Sequence, residues 1–308
     1  MNVGLLIFEQ TLNGIQSGVF LFLIAAGLTL VFGIMNLVNL AHGSLYMLGA
    51  YAGATAFAAS GSFLVAILVS IPAMMLAGVI IEVVALRTLY DRDHMDQVLA
   101  TFGLILFFNE LVRIIWGPES QPMPIPEALS GHVELLPGVP YPEFRIAIIV
   151  VGLLVAASLY VLISKTRIGM LIRAGASNRA MAGALGVNIP LLYTLVFGLG
   201  AVLAGLSGVM AGPLLAVEPG MGEDMLVRSF VVIVIGGIGS IRGALVASIL
   251  VGIVETLGRS LLPLALEAVV SNDAAQTAGP ALASMLIYVL MAAVLFFRPE
   301  GLFTARTG

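Results

Sequence analysis

A cluster of polar side chains interrupts an otherwise apolar run, LTLVFGIMNLVNLAHGSLYMLGAY, at residues 28–51. Polar groups inside a membrane-spanning segment are costly unless they line a wet cavity or bond to neighbouring helices. The pattern favours a polar path or its gate. Helix capping and hydrogen bonds to adjacent spans are the alternative interpretation. The candidate path residues are Asn36, Asn39, His42, Ser44 and Tyr46.

Acidic residues within apolar segments form a second set of candidates. Glu82 and Glu110 lie near the ends of their segments, and Arg113 follows Glu110 at i+3. Glu255 is the deepest acid and has Arg259 four residues on. A charged group at mid-bilayer costs about 2.5–3.5 kcal/mol on insertion scales. Such acids are either paired or solvated at the interface, or they take part in the path. Because Glu255 is the deepest of them, it is added to the path candidates.

Enzyme and metal chemistry are not indicated. His42, His94 and His132 fall in three separate regions, and cysteine is absent. The run DRDHMD at 91–96 is typical of a solvated turn between two spans. A P-loop needs glycine before its lysine, whereas Ser164 precedes Lys165, the only lysine of the chain. We therefore expect no metal site and no nucleotide bound by this chain.

The elements that position these residues are membrane helices. Of 308 residues, 60% are hydrophobic and 10% charged, with a mean hydropathy of +1.12, which indicates a polytopic membrane protein. We expect an all-α transmembrane bundle forming one domain over residues 1–308, with eight or nine spans. The two segments around residues 236–243 are short enough to be half-helices or a re-entrant hairpin. The apolar segments lie at 12–33, 40–59, 62–85, 97–115, 146–164, 190–212, 226–240, 242–260 and 282–297.

Charge placement predicts the orientation. The net charge of −4, with no basic stripe, gives no support to nucleic-acid binding. Basic residues cluster in the loop at 164–190, Arg87 and Arg92 lie in another loop, and Arg298 and Arg306 lie in the tail. The positive-inside rule places all three regions on the cytoplasmic side. The loop at 116–143 has neither Lys nor Arg and is expected outside. The amino-terminal residues resemble the start of the first span more than a cleaved signal.

The basic loop at 164–190 is predicted to contain a short amphipathic helix. Ser177 or Asn178 can cap it, and Gly186 ends it. Met181 and Leu185 lie at i, i+4 and form an apolar stripe. A groove on a partner protein and the lipid headgroup layer are equally good acceptors of this stripe.

Glycines predict close helix contacts and a second break. Gly208 and Gly212 have the spacing of a Gly-xxx-Gly packing motif. The run GGIGSIRG is too rich in glycine for a regular helix and predicts a break at the membrane edge. Glycine–serine pairs in both breaks suggest an internal repeat, although the offsets differ. The break residues are Gly236, Gly237, Gly239, Ser240 and Gly243.

At this point the chain resembles a known family, the LivH-type inner-membrane permeases of branched-chain amino acid ABC transporters. The resemblance rests on the run GLTLVFGIMNLVNLAHGSLYMLGAY, on QVLATFGLILFF at 97–108, on the loop at 167–188, on 236–243 and on RPEGLF at 298–303. It implies a multi-pass protein of the bacterial inner membrane, with a cytoplasmic carboxyl terminus. The implied partners are a second, related permease, two cytoplasmic ATPases that hold the ATP, a periplasmic substrate-binding protein and membrane lipid.

The resemblance also implies that the basic loop couples the permease to an ATPase. The family pattern has a glutamate after the arginine, whereas Ala180 follows Arg179 here, so no carboxylate contact is implied. The implied activity is import of branched-chain amino acids by alternating access. Import of urea, short amides or aromatic acids is one alternative, and a stand-alone channel or ion-coupled carrier is another. The candidate coupling residues are Arg173, Ser177, Asn178, Arg179, Met181, Leu185 and Gly186.

Overall fold

A computed structural model describes residues 3–90, 92–136 and 139–303. The predicted Arg306 of the tail lies outside the described residues. The helical class is confirmed, and one short antiparallel hairpin in the loop at 116–143, β1 (His132–Leu136) and β2 (Val139–Pro142), is the only sheet in the described part of the chain. The helices are α1 (Val3–Met35), α2 (His42–Ser60), α3 (Phe63–Ile81), α4 (His94–Trp116), α5 (Glu143–Lys165), α6 (Arg167–Ser177), α7 (Arg179–Ala184), α8 (Ile189–Ala211), α9 (Met221–Gly236), α10 (Ile241–Leu266) and α11 (Asn272–Phe297).

Seven described helices are long and apolar enough to cross a membrane: α1, α3 with its extension to Leu89, α4, α5, α8, α10 and α11. The predicted count of eight or nine spans is not confirmed. α9 is short, as expected, with 16 residues. The expectation for the next segment was wrong, because α10 has 26 residues and is a full-length span. The two core helices outside the seven spans are instead α2, with 19 residues, and α9, and we refer to these two as the half-helices.

Helix α1 lies at the centre of the bundle. It packs against α5, α8, α9 and α10, and its apolar residues from Val19 to Val31 are buried. A helix that is apolar on all sides has no preferred solvent face and is stable only when surrounded. The first span is therefore the core of the fold and has little contact with lipid.

The two ends of the bundle carry different elements. At one end, Arg145 at the start of α5 donates to Asn13 of α1, and β2 packs beside them. At the other end, the last turns of α1, the helix α6 and the tail residue Phe303 surround one cavity. The basic loop and the described tail therefore lie at the same end, opposite the hairpin.

The helices form two similar halves of opposite orientation. In the first half the long helix α1 is followed by a non-helical stretch, the shorter helix α2, a tight turn and α3. In the second half α8, α9 and α10 follow one another in the same order. α1 packs on α10 as α8 packs on α3, and each short helix packs on the long helix of the other half. The repeat suggested by the glycine–serine pairs was wrong in its pairing, because α2 corresponds to α9.

Close helix crossings depend on glycine. A Cβ at Gly208 would overlap the carbonyl of Tyr46, and one at Gly49 would overlap the backbone of Gly205. Both contacts join α2 to α8 and confirm that small residues permit this packing. Gly212 differs from expectation, since it ends α8 and faces the side chains of Met123 and Val217 in the outer loops.

Candidate functional site

The first polar break returns the chain into the bundle. α1 ends at Met35, Asn36 adopts the left-handed conformation with φ 52°, and residues 36–41 are not helical. The ring of His42 then lies against Gly27 of α1 and Gly200 of α8. Gly27 is eight residues before Met35, so α2 starts about 12 Å inside the end of α1 at about 1.5 Å per residue. α2 therefore begins inside the bundle and not level with the end of α1.

Most of the predicted path residues are sealed inside the protein. Asn39, His42 and Tyr46 are fully buried, and Ser44 is buried as well. The side-chain oxygen of Asn39 accepts from the N–H of Ala41 at 3.1 Å, which stabilises the turn into α2. The amide nitrogen of Asn39 and the hydroxyl of Tyr46 make no hydrogen bond to the described residues. The break is thus closed in this conformation and holds buried polar atoms without partners.

The beginning of α9 meets the beginning of α2. A Cβ at Gly43 would overlap the carbonyl oxygen of Gly222, and one at Gly222 would overlap the backbone of Gly43. The N–H of Gly220 points to the sulfur of Met47 at 3.4 Å. Helix amino termini carry partial positive charge from unpaired N–H groups. Two such ends therefore face each other at the point where the two half-helices meet.

A large cavity is lined by residues from the predicted path, from the glycine-rich break and from the coupling loop. Its volume is about 1240 Å³, and it lies between α1, α5, α6 and the turn from α9 to α10. Asn36 is the one predicted path residue that lines it, beside the break residues Gly239 and Ser240. Arg173 and Ser177 of the coupling loop line the same space. No acidic side chain is among its described lining residues, and Arg242 stacks over the ring of Tyr160, 5.4 Å from its centroid.

The glycine-rich break is held by the carboxyl tail. α9 ends at Gly236, and Gly237 and Gly239 have φ values of 99° and 82°. Ser240 caps α10, with its hydroxyl accepting from the N–H of Gly243 at 3.1 Å. The N–H of Leu302 donates to the carbonyl of Ile235 at 2.8 Å, and that of Phe303 donates to Gly236 at 3.0 Å. The tail therefore satisfies the last carbonyls of α9.

The basic loop contains two helices where the sequence predicted one. α6 and α7 are separated at Asn178, whose side chain caps α7 by accepting from the N–H of Met181 at 2.9 Å. Ser177 ends α6 instead of capping the next helix. Gly186, with φ 89°, follows the end of α7. Met181 and Leu185 are 59% and 78% exposed, so the predicted apolar stripe has no cover within the described chain.

A buried carboxylate links α3 to α8. Glu82 is fully buried and accepts from Arg87 at 3.0 Å, from the hydroxyl of Tyr90 at 2.5 Å and from that of Thr194 at 2.7 Å. Buried carboxylates are stable when hydrogen bonds and a cation surround them. The interpretation of Glu82 as a paired, structural residue fits this network. At the opposite end, Arg113 pairs with Glu110 at 2.7 Å on an exposed face.

Glu255 belongs to an ion cluster away from the large cavity. Arg259 donates to its carboxylate at 2.8 Å, and Arg228 of α9 lies 3.4 Å from the same oxygen. Arg259 also donates to the hydroxyl of Ser284 at 3.2 Å. Reasoning from the sequence missed Arg228 and Thr194. Arg228 is the one basic residue in the apolar run of α9, and that signal was available.

The histidines are far apart in the described part of the chain. The three histidines lie on α2, α4 and β1. Among the described residues, no set of three His, Asp or Glu side chains lies close enough to hold a metal ion. What the residues bring together is a closed polar break, a basic cavity and an exposed apolar stripe at one end. That arrangement suits movement of a solute and mechanical contact with a partner.

The chain is similar to transport permeases over most of its length. Residues 10–295 match the family described as "Branched-chain amino acid transport system / permease component". The permease protein BraD of the high-affinity branched-chain amino acid transport system of Pseudomonas aeruginosa is 32% identical, over 96% of this chain and 94% of that protein. The corresponding LivH protein of Escherichia coli K12 is 31% identical, over 85% of this chain and 89% of that protein. No solved structure matches the chain.

Proposed function

This chain belongs to the permease family of branched-chain amino acid transport systems, and from that premise we propose that it is the subunit through which an ABC importer moves branched-chain amino acids by alternating access. It is a transport subunit and not an enzyme, and it is a multi-pass inner-membrane protein. ATP would be bound and hydrolysed on partner subunits, since the chain has no Walker motif.

The observation that carries this proposal is the large cavity at the end with the basic loop. Arg173 and Ser177 of α6, Asn36 at the first break and Ser240 at the second all line it. A displacement of α6 would therefore act directly on both breaks. Rigid elements that share a cavity can change its shape without unfolding, which is what alternating access requires.

The polar break would act as the gate. Gly43 and Gly222 hold the two half-helix ends together, and the buried Asn39 and Tyr46 leave polar atoms without partners. Such atoms are costly in a closed state and gain partners when water or a solute enters. Separation of α2 from α9 would open the path at this point, while His42 and Ser44 would line the opening.

The apolar stripe of α7 would dock into an ATPase. Met181 and Leu185 are exposed on a capped helix whose length is fixed by Asn178 and Gly186. Arg179, at the start of α7, adds positive charge to the helix that carries the stripe. A short amphipathic helix inserted in a groove transmits motion because its apolar side chains anchor it. The helix, and not a specific carboxylate, would carry the contact, since Ala180 replaces the family's glutamate.

The remaining parts of the assembly follow from the family. The partners would be a second, related permease, two ATPases and a periplasmic substrate-binding protein. The basic loop and the described tail lie at one end of the bundle, so the positive-inside rule supports a cytoplasmic carboxyl terminus. The hairpin end, which includes the loop without Lys or Arg, would face the binding protein.

Uptake by the reconstituted complex tests this function. We expect ATP-dependent uptake of leucine only when the permease pair, the ATPases and the binding protein are all present. Binding of leucine, urea and an aromatic acid to the binding protein separates the cargo classes, and no response to leucine would refute the branched-chain assignment. Leucine transport by this chain alone in liposomes would refute the ABC mechanism in favour of a channel or carrier.

The coupling helix is tested by a matched pair of variants. Changing Met181 and Leu185 to Glu removes the apolar stripe, and we expect the ATPase to be lost from the purified complex. Changing Met170 to Glu in α6 alters a residue of similar exposure outside the stripe and serves as the control. Retention of the ATPase by the double variant would show that α7 does not anchor it.

A further inference from the structure

One ion cluster lies between the middle parts of α10 and α11 on an exposed face of the protein. Arg259 donates to Ser284, which is at the centre of α11, roughly 18 to 20 Å from either end at about 1.5 Å per residue. The hydrocarbon core of a bilayer is about 30 Å thick. Glu255, the partner of Arg259, likewise lies near the middle of α10, so the guanidinium of Arg259 is within the membrane-spanning part of the bundle, with 46% of its side chain exposed.

The cluster has an excess of cationic groups. Arg228 and Arg259 share the single carboxylate of Glu255, and Glu255 itself is buried. Asp224 lies one turn before Arg228 and makes no ion pair with the described residues within 4 Å. Each guanidinium has five N–H donors, and the contacts to Glu255 and Ser284 use few of them. Donors for another anion therefore remain on the open side.

Lipid is a poor neighbour for this face. An arginine exposed to hydrocarbon at the helix centre costs about 2.5–3.5 kcal/mol, and the guanidinium bonded to Ser284 is not directed toward either interface. Charged groups at this depth line aqueous paths or face other protein. The exposed seam of α9, α10 and α11 is therefore a face that meets an aqueous path or another protein, and not lipid, in the assembled transporter.

We propose that Arg228 and Arg259 form a mid-membrane site that binds the carboxylate of the passing amino acid, with Glu255 fixing their orientation. The inference rests on the proposed function and adds to it the chemistry by which the permease recognises its cargo. A bidentate guanidinium–carboxylate contact is geometrically specific. Because Glu255 already shares both guanidinium groups, the bound carboxylate would be released readily. The site would favour amino acids over urea and neutral amides.

Cysteine labelling tests whether this face is wet and occupied. The chain has no native cysteine, so single substitutions report without background from this subunit. In the intact complex, S284C should react with an anionic methanethiosulfonate at least tenfold faster than L154C. Leu154 is exposed near the middle of α5 and is the matched lipid-facing control. Leucine should slow the modification of S284C, whereas leucinamide, which lacks the carboxylate, should not.

Uptake measurements test the arginines themselves. R228Q and R259Q should each lower leucine uptake at subsaturating concentration at least tenfold. R228K should restore only part of it, because lysine keeps the charge but cannot make the bidentate contact, and R113Q should have no effect. Equal reactivity of S284C and L154C, or protection by leucinamide equal to that by leucine, would overturn the site. So would loss of the second permease from the R228Q complex, which would make the cluster an interface. A wild-type complex without ATP-dependent leucine uptake would instead refute the proposed function.

Discussion

Gly43 and Gly222 lie backbone against backbone where the amino-terminal ends of α2 and α9 meet. Neither position has room for a Cβ, because each added atom would overlap the backbone of the other residue. The contact joins the two half-helices of the inverted halves. Closure of the contact between the starts of α2 and α9 therefore depends on two residues without side chains.

Gly43→Ala should destabilise the closed protein. The added methyl group forces the two helix ends apart, and overpacking of this kind costs about 1–3 kcal/mol. Thermal unfolding in detergent should shift to lower temperature. Gly103→Ala is the control, since nothing lies within 4 Å of its Cβ and alanine favours the helix α4. An equal change in both variants would show that the contact is not tight.

Glu82→Ala should destabilise the protein far more than Glu110→Ala. Glu82 is buried with Arg87, Tyr90 and Thr194 as partners, and breaking a buried pair costs up to about 3–5 kcal/mol. The loss should be smaller than that limit because Arg87 is partly exposed and can regain water. The exposed Glu110 pair is worth about 0–1 kcal/mol. Comparable melting temperatures of the two variants would show that the buried Glu82 network does not stabilise the protein more than the exposed Glu110 pair.

Gly301→Ala should loosen the tail from the second break. Gly301 has φ 82°, and a Cβ there would lie 2.6 Å from the Cα of Gly237. Gly61→Ala separates backbone strain from steric overlap with Gly237. At Gly61 φ is 66°, so the strain is present, but nothing lies within 4 Å of an added Cβ. Backbone strain costs each variant about 1–2 kcal/mol. Proteolysis of the tail should increase only for Gly301→Ala. If the tail of Gly301→Ala resisted protease as well as the tail of Gly61→Ala, the tail would not depend on this contact with the second break.

Asn178→Ala should uncouple ATP hydrolysis from transport. The cap bond to Met181 holds α7, and loss of an N-cap costs about 1 kcal/mol. A six-residue helix without its cap frays, so the apolar stripe loses its fixed geometry. The ratio of leucine imported to ATP hydrolysed should fall in Asn178→Ala and persist in Asn178→Asp, because aspartate also caps helices. An unchanged ratio in Asn178→Ala would show that the cap is dispensable.

Several features were predictable because they depend on local chemistry. Residues 36–41 break the first helix pair as expected, and Gly237 and Gly239 take backbone conformations that favour glycine. Asn178 caps a helix because its short side chain reaches the N–H three residues on. The hairpin at 132–142 was not predicted, because the long apolar runs that indicate spanning helices carry no signal for two short strands in a loop.

Other features required knowledge of which helices meet. Glu82 and Thr194 are 112 residues apart, and no spacing rule links them. The glycine–serine pairs did not predict that α2 corresponds to α9 in the repeat. These pairs reflect local turns, whereas the repeat is defined by the way the helices pack. Arg228 gains its importance only from the approach of α9 to α10.

The sequence by itself determined that this protein is a helical membrane permease with two glycine-rich or polar breaks and a basic loop. Hydropathy, capping residues and backbone preferences act over a few residues, so they are readable in order along the chain. Tertiary packing was needed to show that Gly43 meets Gly222, that the tail covers the second break and that Arg259 bonds to Ser284 of α11. These contacts join segments distant in sequence, and they arise from the way complete helices pack around α1.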